Sequence, residues 1–183
     1  MRETFVKFDQ NALREVQKWR LKYLNLIFII LTYSGKGRVW FSLVLFLFVI
    51  DKKGIQFTTK QQLFLYAFYA PLLAFIFGKI IKKIFSRERP SDRIVGFKPL
   101  IIPPRCGSFP SSHTAASTSF FITLLILNHP LTLFVGIWAF LISFSRIYLG
   151  VHYLSDVIGG LLLGFLCGVF VSSFHGFYQV LSF

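Results

Sequence analysis

The chain has 183 residues, of which 55% are hydrophobic and 15% are charged, and its formal net charge is +13. Soluble domains usually carry about 25% charged residues, so this composition excludes an ordinary soluble domain and indicates a membrane protein. The basic residues lie between long apolar runs, and no nucleic-acid motif accompanies them. We therefore predict that they contact lipid headgroups and orient the helices, and that the chain has no nucleic-acid partner.

The amino-terminal segment, residues 1–22, is predicted to form an amphipathic helix at the membrane interface. It mixes apolar side chains such as Leu13 and Trp19 with six basic residues, a pattern typical of a helix that lies on the membrane surface. The first two spans are predicted over Leu21 to Tyr33 and Val39 to Ile50. Both are short, since a crossing needs about 20 residues. The first helix would therefore borrow residues from the amphipathic segment, tilt, or thin the bilayer locally.

Four further apolar runs complete the predicted bundle. The third span, Leu63 to Ile84, contains Pro71 and Gly78, which kink a membrane helix without ending it. Residues 85–110 hold five prolines and many charges, which predicts an extramembrane loop. The remaining spans are His113 to Leu127, Leu131 to Phe144 and Val157 to Phe174. The predicted fold is an all-α, polytopic membrane helical bundle of about six transmembrane helices that form one domain, 1–183.

Three separated segments carry residues suited to binding and cleaving a phosphate ester. They are K-x6-RP with Lys82 and Arg89, PSSH from Pro110 to His113, and SR-x5-H-x3-D with Arg146, His152 and Asp156. A phosphoryl group presents negative charges and several acceptor oxygens, so guanidinium forks, an ammonium and aligned N–H groups suit it. Two histidines can supply a nucleophile and an acid. Because two crossings separate His113 from Arg146, the topology predicts all three segments on one face of the membrane.

Each segment also has a plainer interpretation. The spacing of four predicts His152 and Asp156 on one helical face, where Asp156 accepts the Nδ1 proton and leaves Nε2 free as a nucleophile. The alternative is a helix-end hydrogen bond without catalytic meaning. PSSH predicts a helix start whose first N–H groups face an anion, or a plain N-cap. Basic residues at helix ends commonly reach headgroups, and we predict this for Lys79, Lys83, Arg87, Arg93, Lys98 and Arg105.

The order and spacing of the three segments resemble the type 2 phosphatidic acid phosphatase family, whose membrane-bound members remove phosphate from lipids. The resemblance covers the second half of the chain. It implies that His152 attacks phosphorus, that Asp156 orients His152 and that His113 protonates the leaving oxygen. It further implies a reaction without metal or cofactor, and phosphate binding by Lys82, Arg89, Ser111, Ser112 and Arg146. Ser112 stands where the family usually has glycine, which lets the backbone approach phosphate closely, whereas serine adds a hydroxyl donor.

These inferences predict an integral-membrane lipid phosphatase that acts through a phosphohistidine on a phosphorylated membrane lipid. The basic loop 79–105 suits a polyanionic headgroup and favours lipid A 1-phosphate, while undecaprenyl diphosphate and phosphatidylglycerophosphate stay open. A lipid phosphotransferase, in which a lipid hydroxyl captures the phosphoryl group, is one alternative. A non-catalytic phospholipid-binding membrane protein is another.

The predicted location is a bacterial inner membrane, with the site facing the periplasm or exterior. The basis is the six basic residues ahead of the first span, because cytoplasmic segments carry an excess of Lys and Arg. Cys106 lies in a polar loop and Cys167 in an apolar run, so the cysteines predict neither a disulfide nor a metal site.

Overall fold

The computed structural model describes residues 2–36, positions 39, 42 and 45, and residues 57–181, and these residues contain helices and no strand. The predicted second span, Val39 to Ile50, and the turn after it lie almost wholly outside the described residues. The all-α membrane bundle is confirmed, whereas the number of crossings stays a prediction. The helices are α1 (Arg2–Gln17), α2 (Lys22–Ser34), α3 (Phe57–Phe85), α4 (Pro90–Arg93), α5 (Ser112–Ile126), α6 (Thr132–Tyr148) and α7 (Leu154–Leu181).

The outer surface of the bundle is apolar. Two stretches of the described chain are long and apolar enough to cross a membrane, Leu65–Arg93 and Leu154–Phe174, and α2, α5 and α6 are shorter apolar helices. Large side chains point outward from α6 and α7, among them Phe140 at 67% exposure and Leu166 at 63%. A continuous apolar exterior of this kind is suited to contact with lipid chains.

The central helix, α5, packs against α3, α6 and α7 and buries small polar side chains. The hydroxyls of Ser117, Ser119 and Thr123 donate to carbonyl oxygens one turn earlier, at 3.2, 2.9 and 3.0 Å. Their polar atoms are therefore satisfied within the helix itself, so α5 can occupy the middle of an apolar bundle without orphaned hydroxyls.

Glycines on one face of α7 allow it to approach α5 closely. A Cβ atom at Gly164 would lie 2.4 Å from the Ala115 carbonyl oxygen, and one at Gly160 would lie 2.7 Å from the Ser111 carbonyl oxygen. A real Cβ atom would clash at these distances, so the two helices can approach this closely only because glycine has no side chain. The approach brings the start of α5 beside the start of α7, where the Ser111 N–H donates to the Asp156 carbonyl oxygen at 2.9 Å.

The amino-terminal helix packs onto the same end of the bundle. Leu13 of α1 is fully buried in a cluster with Ile147, Tyr153 and Val157. A turn separates α1 from α2, and within it the Arg20 Nε donates to the Tyr148 carbonyl oxygen at 3.1 Å. The placement of α1 at the membrane interface stays a prediction, but its inner face lies against the helices that carry the predicted site.

Candidate active site

The eight predicted site residues come together where α3, α5, α6 and α7 meet. Lys82 lies in the last turn of α3, Arg89 is the N-cap of α4, and PSSH leads into α5. Six of the eight are buried: Lys82, Arg89, Ser111, Arg146, His152 and Asp156. Ser112 and His113 are half-buried. So many buried polar and charged groups require mutual pairing or a bound ligand.

His152 lies between a cation and an anion. Its Nε2 is 3.5 Å from the Arg89 Nη1, and its Nδ1 is 3.4 Å from the Asp156 Oδ2. The Nδ1 contact lacks hydrogen-bond alignment, so this buried nitrogen has no hydrogen-bond partner among residues 2–36 and 57–181 or at the three isolated described positions. The imidazole is thus held beside the carboxylate that would fix its tautomer, with Nε2 directed to the cationic side.

The prediction that His152 and Asp156 share a helical face is wrong in its detail. His152 precedes α7, which begins at Leu154, so only Asp156 is helical. The Asp156 Oδ2 accepts a hydrogen bond from the Tyr153 N–H at 2.9 Å. That geometry is the reciprocal half of a capping box, in which the third helical residue satisfies the N–H of the N-cap. The capping bond competes with His152 for the same oxygen.

The imidazole of His152 is held in its neutral form. Burial lowers the pKa of His152 well below its ordinary value, and the positive charges of Arg146, Arg89 and Lys82 lower it further. A neutral imidazole has a free lone pair, which a nucleophile needs and an imidazolium lacks. The same three cations that could bind a phosphate group also disfavour protonation of this histidine before substrate binds.

Arg89 and Lys82 are held by main-chain carbonyls. Arg89 donates from Nε to the Cys106 carbonyl oxygen at 3.0 Å and from Nη1 to the Val151 carbonyl oxygen at 2.8 Å. The Lys82 ammonium donates to the carbonyl oxygens of Gly107, Ser108 and Pro110, at 3.1, 3.2 and 2.5 Å. All three donors of this ammonium are occupied. Lys82 therefore gives the site its charge while its donors hold the loop that precedes PSSH.

Arg146 has one buried donor without a partner among the described residues. The predicted fifth span ends at Phe144, whereas Arg146 lies in the last turn of α6 and is 2% exposed. Its Nη1 donates to the Thr32 hydroxyl of α2, while its buried Nε has no hydrogen-bond partner in the part of the chain that the structure describes. Leaving a charged donor unsatisfied is costly. A phosphoryl oxygen is an acceptor that can satisfy this Nε.

PSSH forms the start of α5. Ser111 is the N-cap but makes no side-chain capping bond, and its Oγ accepts a hydrogen bond from the Thr114 hydroxyl at 3.0 Å. The first N–H groups of a helix have no intrahelical acceptors and favour an anion. The positive charges of Arg146 and Lys82 act on the His113 imidazole, which places His113 in the same electrostatic environment.

The predicted headgroup contact of Arg87 is wrong. Its side chain turns inward, where Nη1 pairs with the Asp156 Oδ1 at 2.7 Å and Nη2 pairs with the Asp9 Oδ2 at 2.6 Å. Sequence reasoning also missed Asp9, Thr32, Ser108 and Ser155. The available signals were weak: Asp9 is one of only seven acidic residues and lies in a basic segment, and Arg87 lies within the K-x6-RP motif.

No group of three or more metal-ligating side chains occurs within residues 2–36 and 57–181 or at the three isolated described positions. Both Cys106 and Cys167 are free thiols, the first exposed and the second buried. The charged side chains near His152 are the cations Arg89, Arg146 and Lys82 and the carboxylate Asp156.

Comparison with known proteins identifies the family. A model of the PAP2 superfamily matches residues 63–179, more than half of the chain. The chain belongs to the PAP2 superfamily. This confirms the family predicted from the three segments, and the match contains all eight predicted site residues. The match begins within α3, so α1 and α2 lie outside it.

Several curated proteins are similar in sequence. The bacitracin transport permease protein BcrC of Bacillus licheniformis is 36% identical over 62% of this chain, and the match spans 57% of that relative, less than two thirds of its length. An undecaprenyl-diphosphatase of Sulfolobus acidocaldarius is 27% identical over 88% of this chain and 76% of its own. A lipid A 4'-phosphatase of Bacteroides thetaiotaomicron is 40% identical over 48% of this chain and 42% of its own.

Two solved structures have the same fold. A transmembrane PAP2-type phosphatidylglycerolphosphate phosphatase from Bacillus subtilis superposes with a TM-score of 0.77 at 22% identity, over 94% of this chain and 87% of that one. LpxE of Aquifex aeolicus superposes with a TM-score of 0.67 at 28% identity, over 88% of this chain and 93% of that one. The bundle described above is therefore the fold of transmembrane PAP2 proteins.

Proposed function

We propose that this chain is an integral-membrane lipid phosphatase that hydrolyses the terminal phosphate of a phosphorylated lipid. The observation that carries the proposal is the buried His152 between Arg89 and Asp156, close to Arg146, whose Nε has no partner among the described residues. A nucleophile and a phosphate-binding cluster at one point are what phosphoryl transfer to a side chain requires. Membership of the PAP2 superfamily supports the same conclusion.

In the proposed reaction, the Nε2 of His152 attacks phosphorus and the bond from phosphorus to the lipid oxygen breaks. His113 gives a proton to the departing oxygen, so the lipid leaves as an alcohol or a monophosphate. A water molecule then attacks the phosphohistidine, the P–N bond breaks, and inorganic phosphate is released. Arg89 and Arg146, together with the first N–H groups of α5, would stabilise the charge on the phosphoryl oxygens. The charge of Lys82 contributes to the same stabilisation, and no step involves a metal.

The proposed substrates are membrane lipids with a terminal phosphate. The apolar exterior and the family both favour a lipid over a soluble ester. The sequence alone favoured lipid A 1-phosphate, and a relative named as a lipid A phosphatase supports that class. A relative named as an undecaprenyl-diphosphatase aligns over more of this chain and makes undecaprenyl diphosphate an equal candidate. Phosphatidylglycerophosphate is the third, because a relative of Bacillus subtilis that is 30% identical over 85% of this chain is named as a phosphatidylglycerophosphatase B.

We further propose that residues 1–183 act as one domain in a bacterial inner membrane, with the site on the periplasmic or outer face. Burial of Leu13 of α1 against Ile147 and Tyr153 supports a single unit. The six basic residues ahead of α2 and at its first residue support a cytoplasmic start under the positive-inside rule. Labelling of Cys106, which is exposed beside the site, with a membrane-impermeant thiol reagent on intact cells would test the orientation.

The proposed function is tested by phosphate release from purified protein in detergent. The panel contains lipid A, undecaprenyl diphosphate, phosphatidylglycerophosphate and phosphatidic acid, each with excess EDTA, and an extract of cells that lack the protein is the control. We expect release from at least one lipid at a rate that EDTA leaves unchanged. A newly phosphorylated lipid without free phosphate would indicate the phosphotransferase, and binding without either product would indicate the non-catalytic protein.

The pH dependence of kcat/KM is expected to have an acid limb below pH 6.5, the ordinary pKa of histidine, because burial and the neighbouring cations lower the pKa of His152. Protonation of the His152 imidazole removes the lone pair that attacks phosphorus, and a lower pKa means that this protonation occurs only at lower pH. Replacing Arg89 by glutamine removes one of these cations and should shift the acid limb to higher pH. Ionisation of the substrate is the same in assays of both proteins, so a difference in the pH of the acid limb reports the pKa of His152. An acid limb at the same pH in wild-type protein and in the Arg89 variant would contradict this electrostatic account.

A further inference from the structure

Asp9 of α1 is a buried carboxylate that the proposed reaction does not use. Its side chain is 1% exposed, although α1 begins at the chain terminus and the family match begins only at residue 63. A buried charge is tolerated only when it is paired and hydrogen-bonded. Among the described residues, the partners of this carboxylate are Ser155 and Arg87, so Asp9 links the amino-terminal helix to another part of the molecule.

The partners of Asp9 lie at the entrance to α7 and in the loop after α3. Its Oδ1 accepts from the Ser155 N–H at 3.0 Å, and its Oδ2 accepts from the Ser155 hydroxyl at 2.5 Å. The same Oδ2 accepts from the Arg87 Nη2 at 2.6 Å. Ser155 is in the first turn of α7, whose N–H groups have no intrahelical acceptor, so Asp9 satisfies one of them from a different helix.

Arg87 transmits this contact to the carboxylate beside His152. Its Nη1 donates to the Asp156 Oδ1 at 2.7 Å and to the Ser155 hydroxyl at 2.6 Å, while Nη2 is held by Asp9. Its guanidinium also lies over the Tyr153 ring, 4.4 Å from the centroid. A guanidinium is a rigid planar fork, so the position of Asp9 determines the direction in which Nη1 points. An ammonium lacks this planar fork and would not impose the same relative orientation on the two carboxylates.

Hydrogen bonds to both of its oxygens therefore restrain the rotation of the Asp156 carboxylate. Oδ1 is held by Arg87, with the Ser108 hydroxyl at 3.4 Å, and Oδ2 is held by the Tyr153 N–H at 2.9 Å. The remaining acceptor capacity of Oδ2 faces the His152 Nδ1 at 3.4 Å. If the Arg87 contact were lost, the carboxylate could turn, and its Oδ2 would leave the position beside the His152 Nδ1 that favours the tautomer with Nε2 unprotonated.

We propose that Asp9 and Arg87 are positioning residues for the phosphoryl-transfer reaction, with Asp9 acting on His152 through Arg87 and Asp156. The inference rests on the proposed function. It assigns α1, which lies outside the family match, a role in the chemistry as well as in packing. The described contacts of Asp9 and Arg87 do not include the proposed phosphate-binding side chains Lys82, Arg89 and Arg146. Removing Asp9 or Arg87 should therefore slow the chemical step and leave substrate binding unchanged.

The test compares kcat and KM of Asp9→Asn, Arg87→Met and the double variant, on whichever lipid the wild-type protein hydrolyses. We expect kcat to fall by about 10- to 100-fold in each single variant, the usual effect of removing a group that orients a functional side chain, with KM unchanged. Since both residues act through one path, the double variant should be no slower than the slower single variant. The matched control is Glu15→Gln on α1, where an exposed carboxylate pairs with Lys18 at 2.7 Å, away from the site, and kcat should stay at the wild-type value.

Thermal unfolding in detergent separates misfolding from misalignment. If Asp9→Asn does not fold, Arg87→Lys takes its place, because lysine keeps the charge but lacks the planar fork that orients both carboxylates. A wild-type kcat in folded Asp9→Asn or Arg87→Lys would overturn the inference, as would losses that multiply in the double variant or that appear in KM. Wild-type protein that releases phosphate from no lipid would instead overturn the proposed function and this inference together.

Discussion

Alanine at position 152 is expected to lower kcat for phosphate release by about 10⁴-fold or more, which is the scale of loss when a catalytic nucleophile is removed. His152 is the side chain whose Nε2 faces the cationic cluster, at 3.5 Å from the Arg89 Nη1. Without the imidazole, no covalent intermediate can form, and a water molecule would have to attack the lipid phosphate directly. The remaining cations would still bind substrate, so KM should change far less than kcat.

Trapping of the intermediate makes this prediction more specific. Wild-type protein incubated briefly with a ³²P-labelled substrate and quenched in alkali should retain label that acid removes, because a P–N bond survives alkali and is hydrolysed in acid. His152→Ala should retain none. His129→Ala is the matched control, since His129 lies in the turn after α5, outside the site, where its Nδ1 accepts a hydrogen bond from the Leu131 N–H. Label that persists in His152→Ala would move the nucleophile to another residue.

Alanine at position 164 is expected to lower the free energy of unfolding by about 3 kcal/mol, the upper range for overpacking a dense interior. A Cβ atom there would lie 2.4 Å from the Ala115 carbonyl oxygen, 2.7 Å from the Thr118 Cβ and 3.0 Å from the Ser119 backbone nitrogen. Two of these neighbours are main-chain atoms of the central helix, so relief requires α5 and α7 to separate. That separation would also disturb the contact between Ser111 and Asp156 at the site.

The matched control is Gly78→Ala in α3. A Cβ at Gly78 would meet the Ser112 Oγ at 3.5 Å and the Leu163 Cδ2 at 3.8 Å, which are ordinary contact distances. Alanine also favours a helix over glycine by about 1 kcal/mol, so Gly78→Ala should be neutral or stabilising. The midpoint of thermal unfolding, followed by tryptophan fluorescence in detergent, compares the two. If Gly164→Ala melts at or above the wild-type temperature, the close packing of α5 against α7 does not limit stability.

The sequence predicted the chemistry of the candidate site better than its geometry. The types and order of Lys82, Arg89, Arg146, His152 and Asp156 indicated phosphate transfer, because few other reactions need that combination of charges and imidazoles. The geometry of the site depends on where α6 ends and where α7 begins, and the sequence did not predict these helix ends correctly. Arg146 is helical because α6 continues four residues beyond Phe144, and His152 lies outside α7 because its helix begins at Leu154.

The sequence by itself determined the class of the molecule, since composition and apolar run length dictate a helical membrane bundle and the three motifs identify the family. The tertiary structure alone decided which charges meet. Periodicity shows that a residue lies on one face of a helix, but not which residue of a distant element lies opposite it. Asp9 and Arg87 are 78 positions apart, and only the packing of α1 onto the start of α7 brings their side chains to 2.6 Å and connects them to Asp156.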